Sequence, residues 1–82
     1  MKIDLSQNEP VIEATDLAKY LDLTPEAVKD LMRAGAITSL FETGVDEHAG
    51  SHRLTFTYRT IRVRFTCDSE GKVLKTARFS IG

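Results

Sequence analysis

Arg53-Leu54-Thr55-Phe56-Thr57-Tyr58-Arg59-Thr60-Ile61-Arg62-Val63-Arg64-Phe65 contains two runs of strict alternation. Side chains on a strand alternate between faces, so Leu54, Phe56 and Tyr58 share one face of the first run, and Ile61, Val63 and Phe65 share one face of the second. A two-residue turn at Arg59-Thr60 sets Tyr58 opposite Ile61, Phe56 opposite Val63 and Leu54 opposite Phe65. Every apolar residue then lands on one side of the sheet, and a slip of one residue would undo the match. Arg59-Thr60 is not a preferred turn pair. The register therefore rests on the apolar pattern rather than on the turn.

Downstream, Asp68-Ser69-Glu70-Gly71-Lys72 is a second turn signal, with Gly71 suited to a positive φ. Val73 to Ile81 reads as the last strand, with Ala77, Phe79 and Ile81 expected on the apolar face. The opposite face would carry Arg53, Arg62, Arg64 and Arg78 among Thr55, Thr57, Thr66 and Thr76. Upstream, Ile37 to Thr43 reads as a strand and Gly44 to Ser51 as a polar loop.

Before Gly35 the period is helical. Thr15 is placed to cap a first helix in which Leu17 and Leu21 share a face, and Asp16 suits the positive helix end. Thr24 as cap, Pro25 at the first helical position and Glu26 in the first turn mark a second helix. Its buried stripe would be Val28, Leu31 and Met32, and Gly35 would end it in the left-handed conformation. The first residues admit a small N-terminal β-hairpin, with Lys2 to Leu5 and Val11 to Glu13 as its arms and residues 7–10 as its turn. The expected architecture is α+β: two short helices packed on a four-stranded antiparallel β-meander, in a single domain over residues 1–82.

The sequence has 82 residues and a net charge of −1, which fits one domain and no more. Apolar and charged fractions of 41% and 28% are those of an ordinary folded protein, which argues against disorder. No apolar run is long enough to cross a membrane, and Asp4 interrupts any signal-peptide core. The expected location is therefore the cytoplasm, and the one cysteine, Cys67, which excludes an internal disulfide, is consistent with a reducing compartment. Charge divides along the chain. Residues 1–50 hold four basic and ten acidic residues, a net −6, whereas residues 51–82 hold seven basic and two acidic residues, a net +5. The halves either attract each other or leave the basic half facing an anionic partner.

Three sets of residues bear on function. Leu17 to Leu31 resembles a helix-turn-helix, with Ala18 at the helix crossing and Val28 and Leu31 on the buried side, and Arg33 to Ile37 leads into a would-be wing. Asp22 stands where such a motif usually has Gly. The outer set on the second helix, Glu26, Lys29, Asp30 and Arg33, has no net charge, and the helical half is acidic, which opposes DNA approach. The bland account, a tight helical hairpin packed on a sheet, is preferred. The arginine–threonine face suits an acidic surface or phosphates, although threonine also serves β-propensity and arginine also blocks edge aggregation. Aromatic residues for stacking single-stranded nucleic acid fall on the buried face instead. The last set is Asp46-Glu47-His48 with His52 and Cys67: His52 lies across from Cys67 in the extended register, and the two with a loop histidine, His48, or a loop carboxylate would suit zinc, although the spacing matches no strong metal pattern.

Nothing points to catalysis or to a cofactor. Ser51 and His52 are adjacent and point to opposite faces. No phosphate loop, dinucleotide fingerprint or paired-carboxylate pattern occurs.

Leu31-Met32-Arg33-Ala34-Gly35-Ala36-Ile37-Thr38-Ser39, Gly44, Asp46-Glu47-His48-Ala49-Gly50 and His52-Arg53-Leu54-Thr55-Phe56 together resemble a family of small uncharacterised bacterial proteins, a domain of unknown function. Leu17-Ala18, Leu21-Asp22-Leu23 and Gly71-Lys72-Val73-Leu74 fit the same pattern. The resemblance implies a freestanding small protein and carries over no functional residue. The preferred reading is a non-enzymatic interaction module that contacts a protein partner or itself through the basic sheet face, Arg53, Arg62, Arg64 and Arg78, and the polar loop from Gly44 to Ser51. The alternatives are a winged-helix-like DNA-binding regulator using Lys29 and Arg33, and a small metal-binding protein using His48, His52 and Cys67.

Overall fold

The hairpin over residues 53–65 is the middle of the sheet. In the computed structural model, β2 (His52–Tyr58) and β3 (Ile61–Cys67) pair antiparallel with Tyr58 opposite Ile61, Phe56 opposite Val63 and Leu54 opposite Phe65. Arg59 takes a φ of 55° to close the two-residue turn, and its guanidinium lies 5.3 Å from the centre of the Tyr58 ring. Flanking strands β1 (Ile37–Thr43) and β4 (Val73–Ser80) complete a four-stranded antiparallel sheet in the order β1-β2-β3-β4. The structure describes residues 1–6, 9–44 and 50–81.

Helices α1 (Ala14–Leu21) and α2 (Pro25–Arg33) lie on the face that carries Leu54, Phe56, Val63 and Phe65. Leu17, Ala18, Leu21 and Val28 are buried there, and the Tyr20 ring meets Phe65 edge-on at 5.4 Å. Leu31 is half-buried and Met32 is exposed, so the stripe expected on α2 narrows to Val28.

The helix ends follow local chemistry. Thr24 caps α2 by accepting the Ala27 amide at 3.1 Å, and Pro25 opens the helix. At its far end Gly35, with φ +77°, closes a double hydrogen bond: Gly35 N–H donates to Met32 and Ala36 N–H donates to Leu31, at 3.1 and 2.9 Å. Helix α1 starts one residue before the expected Thr15 cap. The Glu13 carbonyl accepts from Asp16 and Leu17, and no side chain caps the end. Ala14, a strong helix former, lets the turn propagate back through it. Asp22 ends α1 with φ 55° and ψ 43°, the left-handed conformation a glycine would adopt there.

The N-terminal hairpin reduces to one antiparallel bridge between Asp4 and Val11, with both amides bonded at 2.8 and 3.0 Å. The turn expected between the arms lies partly outside the described residues. A second bridge, Lys2 to Lys72, ties the chain start to the β3–β4 turn, and Ile3 becomes a fully buried core residue.

Strand β4 departs from expectation in its phase. Arg62 faces Phe79 and Arg64 faces Ala77, whereas Val63 faces Arg78 and Phe65 faces Thr76. Ala77 and Phe79 therefore lie on the arginine–threonine face, and Arg78 and Thr76 lie on the helix side. The cause is a bulge: Thr66 pairs with Lys75 but Cys67 pairs with Val73, which leaves Leu74 without an opposite residue. The extra residue reverses the parity of the strand, so Val73 points to the core while Ala77 and Phe79 point away from it.

Candidate functional site

The face of the sheet turned away from the helices is an array of three rows across four strands. The registers place Glu42, Arg53, Thr66 and Lys75 in one row, Leu40, Thr55, Arg64 and Ala77 in the next, and Thr38, Thr57, Arg62 and Phe79 in the third. Four cations and one carboxylate share this face, which makes it strongly positive in a chain whose net charge is −1. Among the described residues no helix covers it.

Arg62 and Arg64 are the centre of the array. Alternation on β3 turns both outward, and each guanidinium reaches back across the strand pair. Nε of Arg62 donates to Thr57 Oγ1 at 3.3 Å and Nε of Arg64 donates to Thr55 Oγ1 at 3.4 Å. Thr55 is only 5% exposed beneath this layer. The Arg64 guanidinium also lies 5.6 Å from the centre of the Phe79 ring, within cation–π range. Both side chains are thus half-buried and held flat. Among the described residues neither has a carboxylate within ion-pair distance. A shallow depression of about 240 Å³ runs between them and Thr38 and Leu40. Next to it a larger one, about 490 Å³, is lined by Glu42, Arg53, Thr66 and Lys75. A planar guanidinium with free N–H groups in a fixed orientation suits two-pronged recognition of carboxylate or phosphate oxygens.

The other expected arginines behave differently. Arg53 lies on the face but is paired with Glu42 across β1 and β2 at 3.4 Å. Arg78 does not belong to the face, because the β4 bulge puts it on the helix side. There its Nε donates to the Tyr20 carbonyl at 2.7 Å, and its guanidinium lies 4.0 Å from the Asp22 carboxylate. A cation on a carbonyl in the last turn of α1 that has no other partner among the described residues is a helix cap, a structural task. In exchange the face gains Lys75 and Phe79, beside Leu40 of β1. Leu40 was legible from its alternation against Ile37 in β1. Lys75 and Phe79 were not, because nothing in the residue types announces the bulge.

On α2, Lys29 and Arg33 are exposed, and Arg33 is turned to Asp30 at 3.4 Å. The surface that would meet DNA is shared with Glu26 and Asp30. His52 and Cys67 sit opposite each other as expected, while His48 lies outside the described residues. The His52 ring stacks on Phe41 at 5.2 Å, and its Nδ1 is buried with no hydrogen-bond partner among the described residues. Cys67 is a fully buried free thiol. Burial, then the neighbouring Asp68 charge, push its pKa above the ordinary 9.0, against a smaller opposing pull from a hydrogen bond with the His52 backbone. A metal takes the thiolate, so this setting disfavours ligation by Cys67. Among the described residues no three His, Cys, Asp or Glu side chains converge in a way that would hold a metal ion, and no helix is long and apolar enough to cross a membrane.

No curated protein and no solved structure matches the chain. A family model does match it over residues 1–82, the whole α+β unit described above, and the chain accordingly belongs to DUF6522, a family of unknown function.

Proposed function

We propose that the protein is a non-enzymatic interaction module that docks an acidic segment of a partner protein on the outer face of its sheet. One observation carries this reading: Arg62 and Arg64 are held across the face by Thr57 and Thr55, with no carboxylate partner among the described residues. A solvated face has no need to fix its arginines, and long side chains lose entropy when they are fixed. Pre-fixing them lowers that cost at the moment of binding. Leu40 and Phe79 add apolar contact on either side, as interface cores require. The cytoplasm fits a chain whose one cysteine is a buried free thiol.

The test is a titration of isotopically labelled protein with a short poly-glutamate peptide, followed by amide chemical shifts at low and near-physiological salt. Shift changes are expected on β2 and β3 around Thr55, Thr57, Arg62 and Arg64. They should vanish in the double variant Arg62→Gln, Arg64→Gln. A labelled DNA duplex titrated in parallel distinguishes an acidic protein segment from nucleic acid. If the peptide shifts nothing at low salt, the face is ordinary surface and the reading is lost.

A further inference from the structure

We infer that strand β1 is the self-association edge of this protein, pairing antiparallel with β1 of a second copy about a two-fold axis at Leu40. The sheet is open, with β1 and β4 at its edges. An exposed edge presents a row of unpaired N–H and C=O groups, and proteins blunt such edges with charge, bulges or covering segments. Strand β4 uses all three devices: it carries Lys75 and Arg78, it bulges at Leu74, and its start is covered by residues 1–3 through the Ile3–Gly71 and Val73–Met1 hydrogen bonds. Strand β1, Ile-Thr-Ser-Leu-Phe-Glu-Thr, carries a single charge and, among the described residues, has neither a bulge nor a covering segment. It has no Lys, Arg or Pro and no bulge, and among the described residues no segment hydrogen-bonds to its outer edge. Its one charge, Glu42, is already paired with Arg53.

The hydrogen-bond phase sets the register. Gly44 N–H donates to Ser51 O, in line with the β1–β2 ladder. Because backbone groups alternate in direction along an antiparallel strand, Thr38, Leu40 and Glu42 bond inward to β2, while Ile37, Ser39, Phe41 and Thr43 point their N–H and C=O groups outward. A second β1 related by a two-fold axis at Leu40 puts Ser39 opposite Phe41 and Ile37 opposite Thr43, so all four outward residues are bonded in both copies. Leu40, 58% exposed, then meets its own copy as a close non-hydrogen-bonded pair, and Phe41, 38% exposed, is covered on the other face. Glu42 faces Thr38, so no like charges meet. This self-complementarity is the reason for assigning a second copy rather than a foreign strand.

The product is a continuous eight-stranded sheet that carries both arginine faces on the same side, with the two Arg64 residues about 24 Å apart at ordinary strand spacing. A seven-residue edge is short, so the interface falls at the small end of specific contacts and the dimer should form in a concentration-dependent way. The pairing does not depend on what the arginines bind.

Sedimentation equilibrium over a wide concentration range should show a monomer–dimer equilibrium for the unaltered protein. It should show only monomer for Leu40→Lys, which sets two cations face to face on the axis. Leu74→Lys, on the other edge, should leave the dimer intact. Register is read by oxidation. Leu40→Cys should form a covalent dimer, because a non-hydrogen-bonded pair brings the two Cα atoms within disulfide reach, whereas Thr38→Cys, facing Glu42, should not. The unaltered protein, its Cys67 buried, is the control. Monomer at every concentration, dimer loss in Leu74→Lys alone, or equal cross-linking of both cysteine variants would overturn the inference. Should Leu40→Lys fail to fold, as judged by circular dichroism, the cysteine pair decides.

Discussion

The amide of Ile3 donates to the carbonyl of Gly71 at 2.7 Å, and the Ile3 carbonyl occupies the space where a side chain on Gly71 would begin. The contact joins the chain start to the turn between β3 and β4 and buries the Ile3 side chain completely. Gly71 is required twice over, by its φ of +89° and by this close approach.

Gly71→Ala should therefore cost more than Gly35→Ala. Both glycines have positive φ, but a Cβ at Gly35 meets nothing within 4 Å. The conformational penalty alone is about 1–2 kcal/mol and applies to both variants. Gly71→Ala must in addition displace Ile3, and loss of a buried isoleucine contact approaches about 2–5 kcal/mol. Urea unfolding of the two variants measures the gap. Equal losses would mean that the N-terminal segment contributes little.

Arg78 and Arg64 should separate stability from binding. Arg78→Ala leaves the Tyr20 carbonyl without its donor and should destabilise the fold by about 1 kcal/mol, the value of a partly exposed charge-assisted bond. Arg64→Gln removes a charge from the open face and should leave the melting temperature nearly unchanged while weakening the poly-glutamate interaction. The reverse pattern would place Arg78, not Arg64, at the contact surface.

Cys67 gives the fold a pH dependence with a definite sign. Its folded pKa is raised, chiefly by burial and then by Asp68, so the folded state holds the thiol proton more tightly than the unfolded chain does. Stability from this group is complete below the unfolded thiol pKa and is lost as pH rises through the folded one. The unaltered protein should accordingly lose stability relative to Cys67→Ala, which has no thiol to ionise, as pH rises above about 8.5, the ordinary thiol pKa. Parallel slopes in the two proteins would show that Cys67 does not titrate differently on folding.

Asp22 tests the turn between the helices. Its φ of 55° is tolerated by Asp and natural for Gly, and its carboxylate, 4.0 Å from Arg78, is almost wholly in solvent. Asp22→Gly should be neutral or slightly stabilising in thermal melts. Asp22→Val should cost at least about 1 kcal/mol, because a β-branched side chain resists that conformation.

The central hairpin was legible because two strands of equal length carry apolar residues in the same phase, so one register satisfies both. The helix ends were legible at Thr24-Pro25 and Gly35, where a cap, a ring and a missing Cβ each leave a local mark. Ile3 was not legible, because its partner lies at Gly71, far along the chain, and a three-residue segment has no periodicity to read. Of the candidate face, Arg53, Arg62 and Arg64 were placed correctly by alternation. Arg78 was misplaced because Val73, Ala77, Phe79 and Ile81 share one alternation phase, and the bulge at Leu74 that reverses this phase partway along β4 leaves no mark in the residue types.

That ambiguity sets up a direct test of register. If Ala77 and Phe79 formed part of the core, Phe79→Ser would cost as much as a buried aromatic truncation, about 3–5 kcal/mol, as Phe65→Ala should. In the observed register Phe79 lies on the open face, 36% exposed, against a flexible arginine. Phe79→Ser should then cost about 1 kcal/mol or less, chiefly lost strand propensity and the Arg64 contact. The same variant should release Arg64 from one side and so weaken poly-glutamate binding. Denaturant midpoints for Phe65→Ala and Phe79→Ser, compared in one experiment, decide between the two phases, and a Phe79 loss as large as that at Phe65 would return β4 to the unbulged register.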